Sequence, residues 1–466
     1  MDAEFSARVA PGNYHIMGFV VGGTFDTFSM VGDPETRVDG ETTFTLDARR
    51  AKPVRARIRG VDTDTSSADL GYTRLDDGGD YGLAMGWGVG GAAAASGLFA
   101  EPTDPVRVGQ FEMELRIRLL PAGTSSPATA STLYDLLLFG GRVPDPPRWV
   151  VDGTGELARI TARYRSLNDN AEYQDVRVGF APLQFFAGGS YESVAVPRTR
   201  YEYVSPGPVF WFHDAIWYRG AAFIDFLGPW ADPYQPGQRT EERWFWAPLH
   251  AYGYGDRTAT ELFAGVADLR DTGDHNGYPW EWSEPPVADQ SFRLYRDGQL
   301  IGRARDPFLQ VSVPATRAQY RIERDLNLKD LTRLANVSRT RWWFTSASPG
   351  QDTYAVLPIL DVDYQVAPLG GRNGAVAGRP VTVDLRIARQ EGAPPGEVVA
   401  ATLQLSTNDG ATWKEIELER VGAGHYRGVL PGSRLRAGTW VSLRTTARDA
   451  SNNRVAQALI RAFPVR

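Results

Sequence analysis

Acyl transfer by a hydroxyl nucleophile needs a serine, a histidine to take its proton and a carboxylate to orient the imidazole. The chain holds fragments of such a set, Gly123-Thr124-Ser125 and Asp271-Thr272-Gly273. Ser125 runs on into Ser126-Pro127-Ala128, which has the composition of a loop, so no catalytic residue is assigned there. The five histidines, His15, His213, His250, His275 and His425, lack the His-x-x-x-His or His-x-His spacing by which one element grips zinc. His213 and His250 lie in aromatic segments and read as packed side chains. A glycosidase needs only two carboxylates about 5 to 9 Å apart, which brings forward Trp280-Glu281-Trp282-Ser283-Glu284. Glutamates between tryptophans are also what the wet face of a strand looks like, and that is the reading adopted.

Calcium prefers six to eight oxygens from flexible carboxylates and carbonyls. Two acidic loops offer them: Asp62, Asp64 and Asp69, and Asp271, Asp274 and Asn276. Neither follows the twelve-residue loop with its terminal bidentate glutamate, and polar turns account for both equally well. No cofactor is required; calcium is the one ion the pattern accommodates. The most unusual compositional feature is a belt of rings, Phe210-Trp211-Phe212, Trp217-Tyr218, Trp230, Trp244-Phe245-Trp246, Tyr252, Tyr254 and Trp280 to Trp282. Successive side chains of a strand point to opposite faces, so Trp244-Phe245-Trp246 sends a ring outward. Trp244, Trp246, Trp280 and Trp282 are therefore the candidate binding residues, for a neighbouring domain, a partner or a sugar face.

The elements that must position these residues are strands. Phe111 to Leu119, Val54 to Arg59 and Val381 to Ile387 alternate apolar and polar residues, and turns rich in the chain's 49 glycines and 31 prolines separate such runs. One short helix is expected, from Asp325 to Ala335, on the spacing of Leu326, Leu328, Leu331 and Leu334. The 466 residues suit two to four domains. The expected fold is all-β, as tandem β-sandwiches: a partial small sandwich at 1–52, a large β-sandwich region at 53–290, an additional β segment at 291–365, and an immunoglobulin- or fibronectin-like sandwich at 366–466. A net charge of -6 spread along the chain gives no positive field for nucleic acid. No run approaches the roughly 20 apolar residues of a membrane span. Met1-Asp2-Ala3-Glu4 does not open a signal peptide; if the protein is secreted, its export signal has been removed or lies upstream. With no cysteine, redox compartment is unreadable.

Several stretches taken in order carry a resemblance: Leu46-Asp47-Ala48-Arg49, Tyr234-Gln235-Pro236-Gly237-Gln238 before Trp244, Asp271 to Gly277 and Leu294-Tyr295-Arg296-Asp297-Gly298. Leu360-Asp361-Val362-Asp363-Tyr364, Ala377-Gly378-Arg379-Pro380-Val381, Asn408-Asp409-Gly410-Ala411-Thr412-Trp413 and Ala447 to Asn453 continue it. Together they resemble the C-terminal, non-catalytic region of large secreted subtilisin-like serine peptidases of actinobacteria, over nearly the whole chain. The resemblance implies an extracellular accessory region whose partner is an upstream peptidase domain, a serine endopeptidase, or that enzyme's protein substrate. That family supplies its triad in the order Asp, His, Ser; here the serine fragment precedes the aspartate fragment, and no His-Gly pair exists. Two alternatives stand beside this: a free-standing extracellular module binding glycan or protein, and an unrecognised glycosidase.

Overall fold

The computed structural model describes all residues except 1–3, 80–81, 125, 168–170, 184–188, 221, 230–232, 282–287 and 329–330, and leaves aside the side chains of 92, 280 and 281. Alternation decides the secondary structure. In strand Gln110–Pro121, Phe111, Met113, Leu115, Ile117 and Leu119 enter an apolar cluster, and the intervening Glu112, Glu114, Arg116 and Arg118 point the other way. Among the described residues helical structure is confined to five short 3-10 turns, such as Ala48–Arg50 and Gly432–Arg434. The protein is all-β, built as tandem β-sandwiches, as expected.

Sheets pack in sequence along the molecule. A four-stranded sheet containing Gly12–Val21 and Phe28–Val38 covers one face of a seven-stranded sheet, with Phe28, Met30, Leu70, Tyr72 and Met113 between them. The seven-stranded sheet runs Arg239–Trp244, Ala158–Tyr164, Arg198–Val204, Thr132–Gly140, Gln110–Pro121, Thr63–Leu75 and Gly82–Gly90. Its other face meets a nine-stranded sheet centred on Glu172–Phe180, Phe210–Arg219, Glu261–Arg270 and His250–Arg257. An eight-stranded and a four-stranded sheet form the C-terminal sandwich, with Val383, Leu385, Leu403, Leu443 and Leu459 buried between them.

The expected domain borders do not coincide with the sheets. Lys52–Pro53 pairs with Leu98–Ala100, which pairs with Phe28–Val38, so the first sheet is completed by residues well past 52. Strands Asp289–Arg296 and Leu360–Ala367 cross the other two borders. Residues 291–365 are no separate segment: Val337–Ser346 pairs with Arg454–Pro464, and Phe308–Ser312 with Glu261–Arg270. One apolar cluster accordingly extends from Leu137 to Val465. The expected helix from Asp325 to Ala335 is also corrected. Strand Ala318–Asn327 continues through Leu326, Leu331 N–H donates to the Leu328 carbonyl, and a turn at Leu334 and Ala335 leads to the next strand. Spacing of four leucines is matched by a strand end plus a turn as well as by a helix.

Polar side chains tie the sandwiches together. Asn373, fully buried, donates to the Ser166 (3.1 Å) and Phe245 (2.9 Å) carbonyls and accepts from Ala247 N–H (3.0 Å). Asp361 Oδ1 accepts from Gly253 N–H (2.9 Å) and Trp342 Nε1 (2.8 Å), and Gln457 donates to the Ala251 carbonyl (2.8 Å).

Candidate functional site

Where the seven- and nine-stranded sheets face each other, one part of the interface is apolar, around Ile160, Val204, Trp211 and Trp217, and the other is ionic. Inward positions of five strands carry charges there. Arg118 grips Asp135 through Nε–Oδ1 (2.6 Å) and Nη2–Oδ2 (3.0 Å), and also reaches Asp175 (3.1 Å) and Glu192 (3.3 Å). Arg200 bridges Asp175 (3.0 Å) and Glu202 (2.9 and 2.7 Å). Arg177 Nη2 donates to Glu202 Oε2. Arg118 and Arg200 have fully buried side chains. Desolvating each ion costs several kcal/mol, which only dense pairing offsets. The pairing is dense but incomplete: Asp175 Oδ1, Arg177 Nε and Arg200 Nη1 are buried without a hydrogen bond.

At its end nearest edge strand Arg239–Trp244 this seam opens into a cavity of about 230 Å³, lined among others by Arg177, His213, Tyr234, Glu242, Trp244 and His275. His213 Nδ1 meets Glu242 Oε2 (2.5 Å), and its Nε2 lies 3.4 Å from Tyr164 Oη. Trp244 Nε1 donates to the same Glu242 oxygen (3.2 Å), and its ring stacks on His275 at 3.5 Å with planes 4° apart. His275 is held in turn by Asp271. Burial alone would raise Glu242; His213 and Arg177 outweigh it and hold its carboxyl down to about 2. The same contest, with Arg200 and Arg177 prevailing over burial, holds Glu202 well below its ordinary range. Burial pushes the Tyr234 hydroxyl up to about 12, and burial beside Glu202 holds Tyr164 well above its ordinary value.

Carboxylate, imidazole and hydroxyl in a row have the form of a proton relay. The row nevertheless ends inside the protein, because Tyr164 Oη donates to Glu202 (3.0 Å) and receives Arg200 (3.1 Å). Glu202, His213 and Glu242 also offer ligand atoms within 4.8 Å of one another, the one such grouping among the described residues. A divalent ion does not suit them: Arg177 pairs with Glu202 and stands 3.6 Å from Glu242, placing a fixed cation between the two carboxylates. The arrangement joins sheets and orients rings.

The candidates from sequence are redistributed accordingly. Trp244 is only 1% exposed and has its face against His275, so it cannot stack on a ligand. Trp246 donates to the Arg163 carbonyl (3.1 Å) and has Arg165 3.4 Å over its ring and Arg243 5.1 Å away, so its face is engaged internally. Trp282, the side chain of Trp280, Ser125 and Glu284 lie outside the described residues. The calcium set is corrected: Asp271 is buried and saturated by Phe245 N–H (2.7 Å), Gly273 N–H (2.8 Å), His275 N–H (3.1 Å) and the His275 ring. Asp274 and Asn276 both turn to Arg270 (3.0 and 3.3 Å). The other acidic set is no loop: Asp64 and Asp69 lie in strand Thr63–Leu75, where Asp64 accepts from Gly123 N–H (2.9 Å) and Asp69 lies in a cavity beside Arg116 and Glu114. His213 and His250 are packed, as read, yet both meet carboxylates, Glu242 and Asp363. The seam itself was missed. Its signal was charge at every second position of a single strand, as in Arg198-Thr199-Arg200-Tyr201-Glu202, which a solvated strand face also produces.

The fold and this site define a tandem β-sandwich protein with an ionic inter-sheet seam. No protein-family model matches the chain, and no curated protein matches its sequence. Similar solved structures include the FN1-FN3 domains of chicken CNTN1, with 10% identity over 66% of this chain and 99% of that one at TM-score 0.14. A polysaccharide lyase shows 12% identity over 63% of this chain and 40% of its own, at TM-score 0.15. A protein described as membrane-anchored, from Corynebacterium diphtheriae, shows 10% identity over 86% and 96%, at TM-score 0.14. TM-scores this low carry no functional argument.

Proposed function

We propose that this chain is a non-catalytic accessory region of a secreted subtilisin-like serine peptidase, acting outside the cell to stabilise or position the enzyme and to contact its protein substrate. The seam carries this reading: Arg118, Arg177 and Arg200 with Asp135, Asp175, Glu202 and Glu242 spend their charges on one another across two sheets, which suits a stiff support. The ordered motifs from Leu46 to Asn453 supply the family. The test is to read the coding frame upstream of residue 1 and to compare the peptidase with and without this region. A subtilisin-like domain upstream, and a shorter thermal half-life of that domain when the region is deleted, are expected. Hydrolysis of casein by the purified chain alone, or an upstream frame with no peptidase, overturns the proposal.

A further inference from the structure

The outer face of the eight-stranded sheet carries an arrangement the seam does not explain. Beyond the exposed Arg454, the outward residues of strand Arg454–Pro464 are Ala456, Ala458 and Ile460, a floor lower than the arginines beside it. Strand pairing sets Arg339 and Arg341 opposite Ala458 and Ala456 on one side, and Arg444 and Thr446 opposite the same two alanines on the other. Long side chains flanking short ones leave a trough. The loop bearing Asp409, Gly410 and Trp413 closes one end, and the enclosed volume is about 400 Å³, inside the range of about 300–1,000 Å³ usual for ligand sites.

The charges in this trough are unbalanced. Arg341 is committed to Asp325 (2.7 Å) and Arg461 to Asp409 (2.8 Å). Arg339 is exposed and has no ion-pair partner among the described residues. Arg444 lies 4.7 Å over the Trp413 ring with its Nε on Gln404 (2.6 Å), its outer nitrogens facing the trough without a carboxylate. Asp409 and Gly410 take φ of 53° and 84°, the tight turn that brings Trp413 and its loop over the end of the trough.

We propose that this trough binds an acidic polysaccharide, whose uronate carboxylates pair with Arg339 and Arg444. Guanidinium takes a carboxylate in a planar two-point fork. A polyhydroxylated chain is favoured over an acidic peptide because the trough lies on a sheet face. A peptide there finds no strand edge for its backbone N–H and C=O groups, which is how sheets ordinarily capture extended chains.

The test is calorimetric titration of the purified chain with oligogalacturonate, with dextran and poly-glutamate as comparison probes. Binding of oligogalacturonate that weakens with added salt is expected, with no dextran binding. The double variant Arg339→Gln/Arg444→Gln weakens it at least tenfold with an unchanged melting midpoint. Ala458→Tyr, which fills the floor and keeps both arginines, is expected to weaken it comparably, while Arg148→Gln, on a different sheet, leaves it unchanged. Absence of oligogalacturonate binding, equal or tighter binding of poly-glutamate, or indifference to both trough variants overturns the proposal. Because the readout is binding by the isolated chain, failure here is distinguishable from failure of the peptidase assignment.

Discussion

The inter-sheet seam and the C-terminal sandwich solve one problem, holding two sheets together, by opposite means. In the C-terminal sandwich Val383, Leu385, Leu403, Leu443 and Leu459 are completely buried, and the buried carboxyl Asp361 lies on the opposite face of its strand, bonded to Gly253 and Trp342. Apolar packing of that kind is strong and tolerant, since hydrophobic groups of similar volume substitute for one another. In the seam, Arg118, Asp175, Arg200 and Glu202 occupy the equivalent inward positions. Ionic packing gains little net stability but penalises every wrong arrangement, because a displaced partner leaves a buried charge alone. The difference teaches that burial in this protein serves two ends: stability in one region and selection of a single sheet-to-sheet register in the other.

Single replacements should separate these two modes. Arg200→Leu strands both Asp175 and Glu202 and is expected to cost about 3–5 kcal/mol, read as a drop in the urea midpoint. Leu385→Ala, in the apolar core, should cost about 2–4 kcal/mol; a larger loss there than at Arg200 would break the comparison. Asp271→Ala, which orphans the buried Phe245 N–H and frees His275 from its support, is expected to cost about 1–3 kcal/mol. A shift in tryptophan fluorescence should accompany it, since Trp244 loses its fixed stacking partner.

Acidity separates the regions further. Glu202 and Glu242 have depressed carboxyls in the folded state, so their contribution is present above the ordinary range near 4.5 and is lost as pH falls toward 2. Asp361 is the reverse. Burial raises it from its ordinary value of 3.8 to about 8, so its contribution is full below about pH 4 and is lost as pH rises from there to 8, above which the carboxyl is ionised in both states. Asp361→Asn should remove a decline of up to about 1.4 kcal/mol per pH unit across that window while leaving the acid limb below it intact. An unchanged slope across that window would remove Asp361 from the account.

Much of the fold was legible because period-two alternation is a local signal. Phe111 to Leu119, Val381 to Ile387 and the strands flanking Asn408-Asp409-Gly410 lie where the sequence puts them, and Asp297-Gly298 takes the positive φ its turn requires. Borders were illegible because sheet membership is decided by distant partners: nothing near Val337–Ser346 says that Arg454–Pro464 will pair with it. The site was legible only in its rings. Trp244 and Trp246 do lie beside the cavity or its neighbouring arginines, but whether a ring faces ligand, histidine or guanidinium depends on His275 and Arg165, residues tens of positions away. The outward arginines of the trough read in sequence as ordinary solvated charge, and only the alanines opposite them give them a shape.

The long-range ties also set a timetable. The Gln457 amide that caps the Ala251 carbonyl lies 206 residues further along the chain, and Asn373 lies 207 beyond Ser166. At a synthesis rate of about 5–20 residues per second, the interval between Ala251 and Gln457 is on the order of 10–40 s. Throughout that time the Ala251 carbonyl waits for its donor, long enough for a holding factor to engage the chain before this tie can close.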